Sequence, residues 1–257
     1  MKLTGVELRR VALPLVTPFR TSFGVEQDRD VLLVRAVTDR AEGWGECVAA
    51  AEPRYSSEYA DGAADVLRRF LVPATATVAE LHPDSVGKAT AFVKGHRMAK
   101  AALELAVLDA WLRSRDEPLA GWLGATRDRV PAGVSVGIMD SVGELLDAVA
   151  AYLDQGYLRI KLKVEPGWDL EPVAAVRERF GDDLLLQVDA NAAYTLADAG
   201  HLAALDRFGL LLIEQPLAED DLVGHAELAR RLATPVCLDE SITSAKGAVD
   251  AVGIGAC

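Results

Sequence analysis

Cysteine is scarce in this 257-residue chain: Cys47, Cys237 and Cys257 are scattered, with no Cys-x-x-Cys pair. That argues against a disulfide framework or a structural zinc site, and it suits a reducing cytoplasm. Basic charge is short as well, with 27 Lys and Arg against 39 Asp and Glu and a net charge of -12. A nucleic-acid partner needs a basic face, so none is expected. No apolar run reaches the ~18 residues of a membrane span. Met1–Arg10 lacks the apolar core of a signal peptide and alternates like a strand. Neither a Gly-x-Ser-x-Gly elbow nor a phosphate-binding glycine loop occurs. His82, His96, His201 and His225 share no motif spacing, so each is read as a surface or structural residue.

What is present is ordinary for a soluble protein: 51% hydrophobic and 26% charged residues, in a chain long enough for one or two domains. Strand signals come first. Residues 3–13 alternate, Val31–Val37 is a second strand, and Gly43–Val48 a third, whose glycines suit close backbone approach. Residues 56–70 have helical periodicity. A stronger helix covers 96–114, with Ala99, Ala102, Leu103, Ala106, Val107 and Ala110 on one stripe. These elements predict an α+β domain over residues 1–126.

From residue 127 onward, strands and helices alternate. Strands are expected at 134–136, 157–164, 184–189, 210–214 and 235–239. Helices are expected at 141–155, 169–180, 196–207, 222–233 and 243–252. The expectation for 127–257 is a partial β/α barrel of the TIM type, with five of about eight strands. Five units do not close a barrel, so the remaining strands are expected on further polypeptide, or the chain is a truncated product.

Lys163, Asp189, Glu214 and Asp239 follow one another at intervals of 26, 25 and 25 residues, each at the polar end of an apolar run. Carboxyl ends of barrel strands share one face, where barrel active sites sit. Asp189, Glu214 and Asp239 are therefore expected to converge on one hard cation, such as Mg2+, with Mn2+ or Co2+ as alternatives. Acidic residues at strand ends also serve as turns or helix caps, but three in phase favour the metal reading. Lys161 and Lys163 flank Leu162, so alternation sends both to one face. Two adjacent ammonium groups repel, which lowers one pKa and prepares a base for a proton next to a carboxylate. Ser135 sits at the mouth of the first barrel strand, within expected reach of substrate. Asn191, Gln215, Glu240 and Ser241 are placed to orient the ligands.

Lys-x-Lys, Asp-Ala-Asn, Ile-Glu-Gln-Pro and Leu-Asp-Glu-Ser, in this order and spacing, resemble the enolase superfamily, muconate-lactonizing subgroup. Pro18–Gly24, Trp44–Cys47, Tyr55–Tyr59, Gly95–Lys100 and Ser135–Asp140 strengthen a resemblance to its o-succinylbenzoate synthase/N-acylamino acid racemase family. The resemblance implies a capping domain over a modified barrel. Loops near Phe19–Gly24 and Ala49–Tyr55 would close over a small carboxylate substrate, with Phe19, Tyr55, Ser135 and Asn191 as substrate contacts. It implies Mg2+ on Asp189, Glu214 and Asp239, with Lys163 as acid/base and Lys161 supporting it. The expected activity is a lyase or isomerase reaction of menaquinone biosynthesis or amino-acid racemisation, in a cytoplasmic homo-oligomer. The family's second catalytic lysine, on the sixth barrel strand, has no counterpart among these residues, so dehydration is better supported than racemisation. Muconate cycloisomerisation, dipeptide epimerisation and a catalytically impaired chain are the alternatives.

Overall fold

Leu3–Thr21 (β1), Gly24–Thr38 (β2) and Glu42–Cys47 (β3) form a three-stranded sheet in that order. The computed structural model describes residues 1–257. β2 pairs antiparallel with β3, from Leu32 opposite Cys47 to Val37 opposite Glu42. Along β2, Leu32, Val34 and Ala36 are buried, the alternation of a sheet with one face on a core. Ala60–Val66 (α1) runs through a wide π turn at Leu67–Leu71 into Val72–Ala76 (α2). Pro73 lies just after that turn. A proline ring clashes with the carbonyl four residues back, and the wide turn gives it room. Pro83–Thr90 (α3), Arg97–Arg113 (α4) and Leu119–Trp122 (α5) complete the helices here.

The expected stripe on α4 is fully buried from Ala99 to Ala110. β3 lies directly on it. A Cβ on Gly43 would sit 2.1 Å from the Ala110 nitrogen, and one on Gly45 would sit 2.0 Å from the Ala102 oxygen. Small residues on both elements let the backbones touch, and the Trp44 amide donates to Asp109 at 2.8 Å.

The second half repeats strand and helix: Gly133–Val136 (β4), Val142–Asp154 (α6), Arg159–Lys163 (β5), Leu170–Phe180 (α7), Leu185–Asp189 (β6), Ala199–Leu202 (α8), Ile213–Glu214 (β7), Leu222–Ala229 (α9), Val236–Cys237 (β8) and Ala245–Gly253 (α10). The strands pair in parallel and in chain order, β4-β5-β6-β7-β8. This is the barrel-type arrangement expected, with two corrections. The last two strands are pairs of residues rather than runs of five. The expected helix over 196–207 is broken, with α8 flanked by 3-10 turns at Leu196–Asp198 and Ala203–Phe208. Thr195 and Asp198 cap one another at the first turn, and the second ends at Gly209 with φ of 56°.

Side chains start the helices of this half. Ser141, Asp169, Asp221 and Ser244 each accept an amide proton of the first turn. One apolar core runs under the sheet, with Ile160, Leu162, Leu186, Val188 and Ile213 facing helix residues such as Val149, Val173 and Leu228. Arg177 is a buried exception. Its guanidinium donates to the carbonyls of Gly181, Asp182, Leu184, Phe208 and Gly209. Burial lowers its pKa, and only carbonyl dipoles accept its protons.

Two compact units result. One comprises Met1–Val16 with Gln27–Arg129. The other comprises Val130–Cys257 with the hairpin tip Thr17–Glu26. The tip thus leaves the continuous stretch expected for the first domain. No helix is long and apolar enough to cross a membrane.

This packing has two measurable consequences. Gly45→Ala should lower stability by about 3 kcal/mol, because its Cβ meets helix backbone that cannot rotate away; denaturant unfolding measures it. The second concerns His225, fully buried, which accepts from the Leu217 amide at 3.2 Å through Nε2 and so donates to the Asp221 carbonyl at 2.7 Å through Nδ1. Burial pushes its pKa down, against the raising effect of Asp221. A folded-state pKa below the unfolded value, about 6.5, gives stability that is full above that pH and lost as pH falls through it. The thermal midpoint should fall between pH 7 and 5.5, and His225→Gln should flatten that fall. An unchanged slope in the variant would remove His225 as the cause.

Candidate active site

Parallel register assembles the site. Lys163 on β5 pairs with Asp189 on β6, and Asp189 pairs with Glu214 on β7. Paired residues of adjacent strands point to one face, about 4.8 Å apart. One pleat earlier on that face, Ser135, Lys161 and Gln187 form a second row. Two rows thus bring two ammonium groups and two carboxylates together at the strand ends.

The four groups are in contact. Lys163 Nζ lies 2.6 Å from Asp189 Oδ2. Lys161 Nζ lies 3.0 Å from the same oxygen, and 2.8 and 3.0 Å from the two Glu214 oxygens. Asp189 is 1% exposed, Lys163 8% and Glu214 9%. Burial alone would raise the Asp189 pKa, but Lys163 and Lys161 outweigh it and hold this carboxyl below its usual range. Glu214 moves the other way, since burial and the Asp189 charge outweigh Lys161. Lys161 is desolvated, yet Glu214 and Asp189 together keep its pKa raised. Each ammonium faces a carboxylate as well as the other ammonium, and for Lys161 the carboxylates set the direction.

Asn191 extends the cluster. Its Oδ1 accepts from Lys163 at 2.6 Å, its Nδ2 donates to Glu240 Oε1 at 2.9 Å, and its amide donates to Asp189 Oδ1 at 3.0 Å. Asn191 and Ala192 have φ of 42° and 62°, and Gln215 has 39°. Left-handed conformations in residues other than glycine cluster where surrounding bonds over-determine them. Here Ala190 donates to the Glu214 carbonyl, Ala192 to that of Gln215, and Gln215 to that of Cys237. Burial raises the Glu240 pKa, and its second oxygen has no partner in the chain. The Ser135 hydroxyl is likewise buried without a partner, beside Lys161 in the register.

Asp239 is placed differently. Glu214 pairs with Cys237, so Cys237 continues the first row and Asp239 lies one pleat beyond it. The fully buried Gln215 fixes that turn: its Oε1 accepts from the amides of Asp239 and Ser241, and its Nε2 donates to Ser241 Oγ and the Leu217 carbonyl. No group of three or more acidic, histidine or cysteine side chains is gathered as a metal cluster. Asp189 and Glu214 meet around Lys161, and Asp239 lies one pleat further along, just past the end of β8. Phe19 belongs to the hairpin tip that packs on Gly137, and Tyr55 belongs to the other unit. Sequence reasoning missed Gln187, and it missed Ser22, whose hydroxyl donates to the Ala190 and Asn191 carbonyls. Gln187 stands in no motif and only strand pairing places it; Ser22 stands within the Pro18–Gly24 motif, but only tertiary structure shows what its hydroxyl touches.

The arrangement gathers two lysines, two carboxylates and an asparagine at the strand ends of a β/α unit. The chain matches the Mandelate racemase / muconate lactonizing enzyme N-terminal domain over residues 3–124 and the Enolase C-terminal domain-like family over 144–257. It is 65% identical over 256 residues to the N-succinylamino acid racemase of Amycolatopsis sp., covering 100% of this chain and 70% of that one. It is 46% identical to the o-succinylbenzoate synthase of Geobacillus kaustophilus, covering 98% and 67%. A solved enolase-superfamily structure from Listeria innocua superposes with a TM-score of 0.94 at 38% identity, covering 100% and 69%. The chain belongs to the enolase superfamily and is an enzyme of its lyase/isomerase kind.

Gln215→Leu should preserve shape but strand two amide donors. A loss of about 2 kcal/mol or more is expected, measured by thermal unfolding against the parent protein. A variant as stable as the parent would show that the turn holds itself.

Proposed function

We propose that the protein abstracts a proton α to a carboxylate, in the synthesis of o-succinylbenzoate by dehydration and in the racemisation of N-acylamino acids. The observation that carries this reading is the Lys163–Asp189–Glu214 register row, with Lys161 beside it, in a chain 65% identical to one racemase and 46% to one synthase. Both reactions begin with the same difficult step, removal of a weakly acidic proton. They part afterwards, when one expels water and the other returns a proton. The shared step asks for a base and for positive charge near the substrate carboxylate.

Lys163 is the proposed base. It is buried and held by Asp189 and Asn191, so its nitrogen has a defined position before substrate arrives. To act it must lose a proton and release Asp189. Lys161 is its electrostatic partner, and the Ser135 hydroxyl is a free donor for substrate.

Superfamily members generally use Mg2+. The donor chemistry here suits it: Lys161 already stands as a positive charge between Asp189 and Glu214, and every candidate ligand is a carboxylate oxygen. Asp189 and Glu214 would hold the cation, with Asp239 as the third ligand. Bound there, it would supply the positive charge that a developing dianion requires.

Lys163→Ala tests the reading in the full-length protein. It removes the proposed base while leaving Lys161 on both carboxylates. Exchange of the substrate α-proton for deuterium, followed by NMR with N-succinylamino acids, should fall by about 10²- to 10⁴-fold. Exchange at the parent rate would remove Lys163 from the mechanism.

A further inference from the structure

The hairpin tip Thr17–Glu26 grips three consecutive strand-to-helix loops. After β4, the Ile138 amide donates to the Arg20 carbonyl at 2.9 Å. Gly137 must lack a side chain there, since a Cβ would lie 3.0 Å from that carbonyl oxygen and 3.4 Å from the Phe19 ring. After β5, Arg20 Nη2 reaches Glu165 Oε1 at 3.2 Å, while its Nη1 lies 3.6 Å from Asp140 in the loop after β4. After β6, the Ser22 hydroxyl lies 3.2 Å from the Ala190 oxygen and 3.3 Å from the Asn191 oxygen.

These grips are not equivalent. Gly137 and Glu165 anchor the tip to loops that make no hydrogen bond to the lysines. Ser22 touches the peptide that turns into the left-handed Asn191–Ala192 pair. The same Asn191 fixes Lys163 through Oδ1 and Glu240 through Nδ2. A hydroxyl shared between two successive carbonyls favours the one backbone orientation that aims both at it. It thereby favours the turn that aims the Asn191 side chain at Lys163.

We propose that Ser22 is a positioning residue for Lys163: its hydroxyl couples docking of the hairpin tip to the Asn191 turn that holds the lysine. The inference rests on Lys163 being the base of the proposed reaction, but the coupling is a property of the fold. Arg20 then serves docking alone, and Ser22 serves docking and alignment together.

Hydrogen–deuterium exchange on the full-length protein separates these roles without needing turnover. In Ser22→Ala, amides of both the 17–26 and the 190–194 segments should exchange roughly fivefold faster, as the loss of one shared hydrogen bond implies. Arg20→Gln should speed exchange in 17–26 and leave 190–194 unchanged. Ser22→Thr keeps the hydroxyl and should restore protection in both. The kinetic counterpart is kcat for α-proton exchange: it should fall roughly fivefold in Ser22→Ala with KM changed less, and recover in Ser22→Thr. Faster exchange in 17–26 alone for Ser22→Ala overturns the coupling, as does failure of Ser22→Thr to restore 190–194. Absence of α-proton exchange in the parent protein would count against the proposed reaction, while the exchange pattern would still decide whether Ser22 holds the Asn191 turn.

Discussion

The ion-pair cluster at the ends of β5, β6 and β7 is the constraint on which the rest of the second unit depends. Two ammonium groups and two carboxylates cannot be buried singly, because an unpaired buried charge costs several kcal/mol. Parallel register supplies each with a partner at no further cost in chain ordering. A slip of one residue in β6 would turn Asp189 to the opposite face and bring Val188 opposite Lys163. Buried Leu162 and Val188 oppose such a slip, since the same shift would drive apolar side chains into the charged face. The core and the site therefore select one pairing for different physical reasons.

The cluster also shapes the loops beyond the strand ends. A buried Asp189 has more acceptor capacity than the lysines use, and the Asn191 amide takes its second oxygen. That bond pulls the chain into a left-handed turn directly after the strand. Gln215 does the equivalent after β7, by bonding across to the turn after β8. Strain at these positions, about 1–3 kcal/mol each, is offset by ladder bonds from each loop to the next strand's end. The result is a rim of loops whose side chains are aimed by backbone rather than by packing.

Much of this was legible in the sequence. The 26- and 25-residue spacing foretold parallel strands with acidic ends, and Lys161-Leu162-Lys163 foretold two lysines on one face. The α4 stripe and the Gly43 and Gly45 approach were readable because each is local periodicity or local absence of a side chain. The rest failed for a physical reason: it depends on the register and on groups distant in sequence. Asp239 follows the same spacing, and only the register shows that it lies one pleat beyond the row of Asp189 and Glu214. The Arg177 site, built from five backbone carbonyls, has no side-chain signature at all. Neither does the buried Asp169 carboxylate, which accepts from Tyr194 at 2.8 Å and meets His201 at 2.7 Å.

That last group shows how the loop rim is held from behind. Asp169 begins α7 by accepting the Leu170 amide, and its other oxygen receives Tyr194, three residues after Asn191. The Tyr194 amide in turn donates to the Pro216 carbonyl. The Asn191 turn is thus pinned in front by Asp189 and Ser22 and behind by Asp169, with Gln215 alongside. Each tie adds to the aim of the Asn191 side chain, so loss of one loosens the turn without releasing it. Lys163 itself is held by Asp189 and by one hydrogen bond to Asn191, so the restraint on the position of its nitrogen lies as much in the turn as in the lysine.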